Sequence, residues 1–438
     1  MRISLLTITL LLSLAGFCRP QQPLALDEAL RLARQNNLQL KKQGQKQKIA
    51  ALEMAIKRGQ LLPSLDFSAI SSYTNEIAKF DLPFIVTVPG RPNQVELGGH
   101  DRTEFFIGLR QPIFTGFRLG TQVELAKTAL ETEEARLAFL NQQTAYQVHL
   151  LFYQAQSLKK ERQIQEASVA RLEVQLEQAR SLFKAAQAMA YDTLQVYNQA
   201  LQLEIQLDQN QRDQRLVDLQ MARLLDLPEV RPIAEADLSK PSAFQSRLDS
   251  LKQVAVQRRP ELSSVHLGQH SAQLSRKLAQ SAYFPDIGAE ARYYYAKPGL
   301  NQVANQWMDY GIIGVNLQWN LWRWQQDRRR VEAAEVEYDR LTLEERELRR
   351  SIDYEVERSW ENATFAAKQI QLAERLLAQQ QERYRIISVQ QRAGVATTND
   401  VIVAESDLTQ AELQLQRALI QYYFSQTEIA LATGAIAE

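Results

Sequence analysis

Residues 61–65, Leu-Leu-Pro-Ser-Leu, recur 222 positions later as Tyr-Phe-Pro-Asp-Ile at residues 283–287. Further along the chain the offset is 208: Asp-Thr-Leu at residues 192–194 corresponds to Asp-Val-Ile at residues 400–402. The chain therefore contains two copies of one structural unit. The two offsets differ by 14 residues, so we expect an insertion in the first copy. We place it in the Pro- and Gly-rich loop at residues 74–103, because exposed loop tips tolerate insertions.

The start of the chain has the features of an export signal. Met1 and Arg2 precede an uncharged stretch, residues 3–17, and small residues follow. We therefore predict a signal peptide at residues 1–18, a first repeat at 19–246 and a second at 247–438. Cys18 is the only cysteine and lies at the cleavage boundary. It is a candidate lipid anchor, although Phe17 is bulkier than the small residue such motifs need.

Composition indicates long helices and gives no reason to expect a nucleic-acid partner. The 438 residues carry 51 Lys+Arg and 51 Asp+Glu, and this balance provides no attraction to nucleic acid. Only 16 Gly and 13 Pro interrupt the chain. Residues 118–184 contain no Pro and no Gly after Gly120, which predicts a helix of roughly 100 Å. Apolar residues recur there at steps of four, three and four (Leu119, Val123, Ala126, Leu130), which is typical of coiled coils.

Each repeat has the predicted order helix, two strands, long helix, helix. The first helix is predicted at residues 27–60 as one piece. The strands are predicted at 64–73 and 104–114 in the first copy and at 287–295 and 313–321 in the second, with apolar and polar residues alternating. This alternation is typical of an outer-membrane barrel, but also of a half-buried sheet in a soluble protein. The export signal and the long helices favour the barrel.

A single copy of this chain cannot complete a barrel. Four strands do not close, and open strand edges are not tolerated in lipid because nothing there satisfies their N–H and C=O groups. Two, three or four chains would satisfy the geometry, and three would give twelve strands. We expect five aromatic residues to lie at the lipid interface: Tyr293, Tyr295, Trp319, Trp322 and Trp324.

The motifs together resemble the TolC-type outer-membrane factor family, also called outer membrane efflux proteins. They are Leu26-Asp27-Glu28-Ala29-Leu30, Arg259-Pro260-Glu261-Leu262, Leu62-Pro63-Ser64-Leu65, Gln111-Pro112-Ile113-Phe114 and Gly394-Val395-Ala396-Thr397. The resemblance implies an α+β membrane protein that is a homotrimer, with a twelve-stranded transmembrane β-barrel and a long coiled-coil helical barrel in the periplasm. It also implies an exit duct of tripartite efflux or type I secretion systems, in contact with outer-membrane lipid, a periplasmic adaptor protein and an inner-membrane pump.

The resemblance also points to residues at the periplasmic tip. Asp400 matches the first of two constriction aspartates of the family, whereas the second position holds Val403. Asp192 matches the partner of a family arginine whose position holds Ala396 here, so the lock of that family is in doubt. For both aspartates the alternative is a helix-capping role. The turns that we expect to dock the adaptor contain Ala186, Gly394 and Val395.

No motif indicates chemistry. The sequence has no Gly-rich phosphate loop, no nucleophile elbow and no convincing metal-ligand set, so we expect no catalytic residue, no cofactor and no metal. The rival hypothesis is a soluble periplasmic coiled-coil scaffold. Drugs, metal ions and polypeptides are all possible cargo.

Overall fold

The computed structural model describes residues 23–81, 94–229, 231–236, 238 and 247–436. The predicted signal peptide and Cys18 lie outside these residues. Two compact units are distinguished among these residues: the described parts of 1–44, 135–263 and 346–438 form a helical unit, and the described parts of 45–134 and 264–345 form a unit that contains the sheet. The predicted boundaries of the two sequence repeats stay a prediction.

Eight α-helices are found among the described residues, and each repeat contributes four. They are α1 (Leu26–Asn36), α2 (Leu38–Gly59), α3 (Arg118–Lys184), α4 (Ala190–Leu225), α5 (Leu248–Arg258), α6 (Pro260–Gln280), α7 (Gln326–Arg392) and α8 (Thr398–Ala432). The long helices α3 and α7 have 67 residues each, as the shared pattern of the repeats predicts. The bounds predicted for α3 are confirmed.

The first predicted helix, residues 27–60, is wrong as a single piece because it breaks at Asn37. Asn37 has ψ 123°, which is not helical. Its side-chain Oδ1 accepts hydrogen bonds from the backbone N–H groups of Gln39 (2.9 Å) and Leu40 (3.2 Å), and so caps the start of α2. Its Nδ2 donates to the carbonyl of Leu224 at 2.9 Å. The second repeat breaks at the equivalent residue, Arg259, which precedes a proline and also has an extended ψ.

Six strands are present among the described residues: β1 (Ser64–Tyr73), β2 (Ala78–Asp81), β3 (Gln94–Leu97), β4 (Asp101–Thr115), β5 (Asp286–Lys297) and β6 (Met308–Gln318). Four form one antiparallel sheet in the order β1-β4-β5-β6, and β2 and β3 form a separate ribbon inside the insertion. The four-strand prediction is confirmed for the main sheet, while the ribbon was not foreseen. The predicted extension of β6 to residue 321 is wrong, because its partner β5 begins at Asp286, directly opposite Gln318.

The register places apolar and polar residues in continuous rows on opposite faces of the sheet. One row joins Leu65, Leu109, Ala291 and Ile313 across all four strands. The neighbouring row on the other face joins Ser64, Arg110, Glu290 and Gly314. Large apolar side chains of the first face are exposed, and Ile313 has 87% of its surface accessible. A sheet that leaves an apolar face uncovered needs a non-aqueous neighbour.

The helical unit has its own apolar contacts. Val148 and Phe152 of α3 are buried against Met221 and Leu225 of α4, and Ala29 and Ala33 of α1 join the same cluster. A second cluster, closer to the turn between α3 and α4, contains Leu172, Val196 and Leu203. Within the described part of the chain, no helix combines the length and the apolar character that crossing a membrane requires.

Candidate channel surfaces

The turns that join the paired helices have the same geometry in both repeats. Ala186 (φ 56°) and Gly394 (φ 75°) both adopt the left-handed conformation just after the long helix ends. The following N–H group in each turn reaches back into the helix: Gln187 donates to the carbonyl of Leu182 at 2.8 Å, and Val395 donates to that of Gln390 at 2.9 Å. These bonds satisfy carbonyls that the helix end leaves free.

The two turns differ in strain rather than in shape. Glycine adopts a left-handed conformation without steric cost, whereas a residue with a Cβ is strained by about 1 kcal/mol. The first turn accepts this strain at Ala186. A Cβ placed on Gly394 would meet no heavy atom within 4 Å, so backbone conformation is the reason for glycine there.

Apolar side chains are exposed at both turns. Met189 in the first turn and Val395 in the second each have 75% of their surface accessible, and Tyr191 beside the first turn is also exposed. The three residues predicted from the sequence as tip residues, Ala186, Gly394 and Val395, therefore lie in exposed turns. Their role in docking stays a prediction.

Asp192 and Asp400 both cap the helix in which they lie. The Asp192 carboxylate accepts a hydrogen bond from the N–H of Met189 at 2.9 Å. Asp400 accepts one from the N–H of Thr397 at 2.8 Å and a second from the Thr397 hydroxyl at 2.6 Å. The Thr397 hydroxyl, and then its backbone N–H, lower the pKa of Asp400 because both stabilise the charged form. Capping does not exclude a pore role, since the Asp400 side chain is also exposed.

A buried polar cluster between α3 and α8 has no counterpart among the predicted residues. Glu405 is fully buried, and its Oε1 accepts hydrogen bonds from the hydroxyls of Ser168 (2.6 Å) and Thr409 (2.8 Å) and from Nε of Arg171 (3.1 Å). Arg171 also donates to Thr409 at 2.9 Å and to Glu412 at 3.1 Å. The sequence does contain a signal for Glu405. This charged residue occupies a position on the apolar face of α8, beside the buried residues Val401, Ala404 and Leu408. These five polar residues are called the α3–α8 cluster below.

The five predicted interface aromatics are all exposed, but in two settings. Tyr293 and Tyr295 lie on the apolar face of β5; Tyr295 stacks on Trp307 at 4.8 Å between ring centroids, and the Tyr293 hydroxyl donates to Asp309 at 2.9 Å. The others lie in the segment after β6: Trp319 donates to the carbonyl of Tyr283, and Trp322 and Trp324 meet edge to face. Their interfacial role stays a prediction.

The ranges that the structure describes contain no group of three or more His, Cys, Asp or Glu side chains placed to hold a metal ion.

Several solved structures of bacterial outer-membrane proteins share this fold. The Campylobacter jejuni CmeC outer membrane channel is 14% identical and has a TM-score of 0.76, covering 94% of this chain and 85% of that one. VceC, an outer membrane protein of Vibrio cholerae, is 16% identical with a TM-score of 0.75, covering 93% and 96%. The outer-membrane channel OprN is 14% identical with a TM-score of 0.78, covering 94% and 90%. At these identities the likeness establishes the fold.

The sequence establishes the family. The outer membrane efflux protein family matches residues 29–225 and 251–435, which is most of the chain, in two segments. The chain belongs to that family, as the resemblance predicted. It is an outer-membrane exit duct of tripartite efflux systems, located in the outer membrane with helices extending into the periplasm. No curated protein matches the sequence.

Proposed function

We propose that three copies of this chain assemble into a passive duct that carries out no chemistry of its own and opens at the turns between the paired helices. The four-stranded sheet supports assembly. Among the described strands, β1 and β6 each pair on one side only, which leaves two open edges. Three sheets joined edge to edge would give twelve strands, with the apolar rows facing lipid and the polar rows facing water.

The internal repeat supports a specific contact between copies. Within one copy, α8 packs on α3, and the hydroxyl oxygens of Thr409 and Ser168 lie 3.0 Å apart. In the other repeat, 208 positions away, the equivalent of Thr409 is Leu201 on α4 and the equivalent of Ser168 is Leu376 on α7. Both leucines are exposed. We infer that α4 of one copy packs on α7 of the next in the same manner.

The surrounding residues agree with that assignment. Exposed apolar side chains form one stripe on α4 and another on α7: Leu194, Tyr197, Leu201 and Ile205 on α4, and Leu372, Leu376, Ile386 and Val389 on α7. The four α4 residues are the repeat equivalents of Ile402, Glu405, Thr409 and Leu413 on α8. Glu405 and Thr409 belong to the face of α8 that packs on α3, so the equivalent face of α4 is the one expected to pack on α7.

A disulfide between copies tests the trimer. Replacing both residues in one chain, Leu201→Cys with Leu376→Cys, introduces thiols at positions whose equivalents are in hydrogen-bond contact, which is within reach of a disulfide. Cys18 is the only native cysteine, so background is low. Oxidation of the full chain should give covalent dimers and trimers. The matched pair Gln202→Cys with Leu376→Cys should give few, because residue 202 lies about 100° further around α4. Monomers alone from the first pair would contradict the trimer.

The turns and their aspartates complete the proposal. Three Asp400 carboxylates around one axis would attract cations and narrow the passage, with Asp192 as a weaker contributor. The exposed apolar residues of the turns would bind the periplasmic adaptor, which connects the duct to an inner-membrane pump. The exposed tyrosines and tryptophans of the sheet unit would lie at the boundary between lipid and water. The family assignment favours this duct over the soluble periplasmic scaffold.

A further inference from the structure

The α3–α8 cluster restricts how α8 can turn about its own axis. All five members lie in the helical unit, with Ser168 and Arg171 on α3 and the other three on α8. Glu405 is 0% exposed and its Oε2 has no hydrogen-bond partner, so the buried carboxylate is stabilised only by the bonds made at Oε1. A buried carboxylate that loses its cation and hydroxyl donors is strongly destabilised. Rotation or sliding of α8 would separate those groups.

Asp400 is on the same helix and must follow any such movement. It precedes Glu405 by five residues, which corresponds to about 7.5 Å along the axis and about 140° around it. Glu405 therefore points into the contact with α3 while Asp400 remains exposed. Because the helix is continuous from Thr398, the direction of the Asp400 carboxylate depends on the bonds made by Glu405.

The equivalent positions in the proposed contact between α4 of one copy and α7 of the next carry different residues. At the offset of 208, Ser168 and Arg171 correspond to Leu376 and Gln379, and Glu405 and Thr409 correspond to Tyr197 and Leu201. Of the five members only Glu412 has a charged equivalent, Glu204, and no charged pair is present at these positions of α7 and α4. Apolar contacts tolerate small rotations, whereas a buried charged cluster accepts one geometry. At these positions the Arg–Glu pair therefore occurs only in the contact made by the helix that carries Asp400.

We propose that Arg171 and Glu405 are positioning residues that set the orientation of Asp400 in the constriction. This inference rests on the proposed function, in which Asp400 lines the passage. Arg171 and Glu405 themselves act through the α3–α8 contact and do not meet the permeating ion.

The first experiment measures ion selectivity of the purified full chain in planar bilayers under a KCl gradient. Glu405→Gln retains the shape and the hydroxyl contacts but removes the charge, and Arg171→Gln removes the cation. Each should lower the ratio of cation to anion permeability by about twofold, in the direction of Asp400→Asn. Glu382→Gln is the matched control, because Glu382 pairs with Arg385 on its own exposed helix face. It should behave as the wild type.

A double variant separates positioning from a direct charge effect. When Asp400→Asn is already present, adding Glu405→Gln should change the ratio no further. An additional decrease of the same size would overturn the proposal, since Glu405 would then act on ions by itself. Unchanged selectivity in both Glu405→Gln and Arg171→Gln would overturn it as well.

A distance measurement between α3 and α8 tests the positioning role of Glu405 independently of ion conduction. Spin labels at Val174→Cys on α3 and Val403→Cys on α8, with Cys18→Ser, occupy two exposed positions on the helices that the cluster joins. Glu405→Gln should shift or broaden the distance distribution, and Glu382→Gln should not. If the wild type fails to conduct, the proposed function fails, and these distances still decide the positioning. An unchanged distribution in Glu405→Gln, with thermal unfolding confirming that each variant is folded, would refute it.

Discussion

Asp192 and Asp400 lie 208 residues apart and occupy the same structural position: each carboxylate accepts a hydrogen bond from the backbone N–H three residues earlier, at 2.9 Å and 2.8 Å. They differ in the residue at that N-terminal position. Thr397 adds a hydroxyl donor to Asp400 at 2.6 Å, whereas Met189 has no hydroxyl to offer Asp192. The second repeat therefore holds its aspartate more firmly.

Neutralising Asp400 should reduce cation selectivity. Asp400→Asn removes one carboxylate from each copy and, in a trimer, three from the constriction, so reversal potentials in planar bilayers should move toward those of an unselective pore. Asp407→Asn is the control, because Asp407 lies on the same exposed side of α8 but is paired with Arg383. Equal selectivity in wild type and Asp400→Asn would remove Asp400 from the passage.

The acid dependence of selectivity should respond to Thr397. The Thr397 hydroxyl lowers the pKa of Asp400, so the carboxylate remains charged as the pH falls. The stabilisation that the charged carboxylate gives to the start of α8 is lost only when the pH falls through that lowered pKa. Thr397→Val removes the hydroxyl and should raise the pKa of Asp400. Selectivity should then disappear at a higher pH than in the wild type. Conductance titrated from neutral to acid pH checks this, and coincident titration curves would contradict it.

Exchanging the residues at the two left-handed positions should change stability in opposite directions. Ala186→Gly relieves backbone strain and should stabilise the first turn by about 1 kcal/mol, while Gly394→Ala should destabilise the second by about the same amount. No heavy atom lies within 4 Å of a Cβ at Gly394, so a clash would not add to the effect. Amide hydrogen exchange at the helix ends beside each turn measures the difference. A loss of protection in Ala186→Gly would show that the alanine makes a favourable contact.

Two consecutive isoleucines of β6 provide a direct test of which face meets lipid. Ile313 lies in the apolar row with Leu65, and Ile312 lies opposite Arg292 on the other face. Ile313→Arg should cost about 2–4 kcal/mol in the bilayer and reduce the amount of protein recovered in the outer membrane. Ile312→Arg, one residue earlier, should be tolerated. The reverse result would mean that the faces are assigned the wrong way round.

The sequence predicted the features that depend on periodicity. Strand β1 and helix α3 have the predicted bounds because alternation and the lack of Gly and Pro are local signals. The break at Asn37 was missed because asparagine alone does not end a helix. Its repeat partner does carry a signal, since Pro260 follows Arg259, and transferring the break from one repeat to the other would have found it.

Features that depend on tertiary contact were harder to foresee. The end of β6 at Gln318 is set by where β5 begins, which no pattern within β6 contains. The α3–α8 cluster joins residues 168 and 405, which are 237 positions apart. A comparison of the repeats would nevertheless have singled out Glu405, because the equivalent residue is Tyr197 and a charged residue on an apolar helix face is expensive to bury.

The open edges of β1 and β6 also have a consequence for biogenesis. Under the proposed assembly, a chain that has not yet joined its neighbours exposes these unpaired strand edges beside an apolar face, and such surfaces associate readily with one another. The stage before assembly is therefore the one in which aggregation competes most strongly, and covering the sheet during that stage would raise the yield of assembled duct.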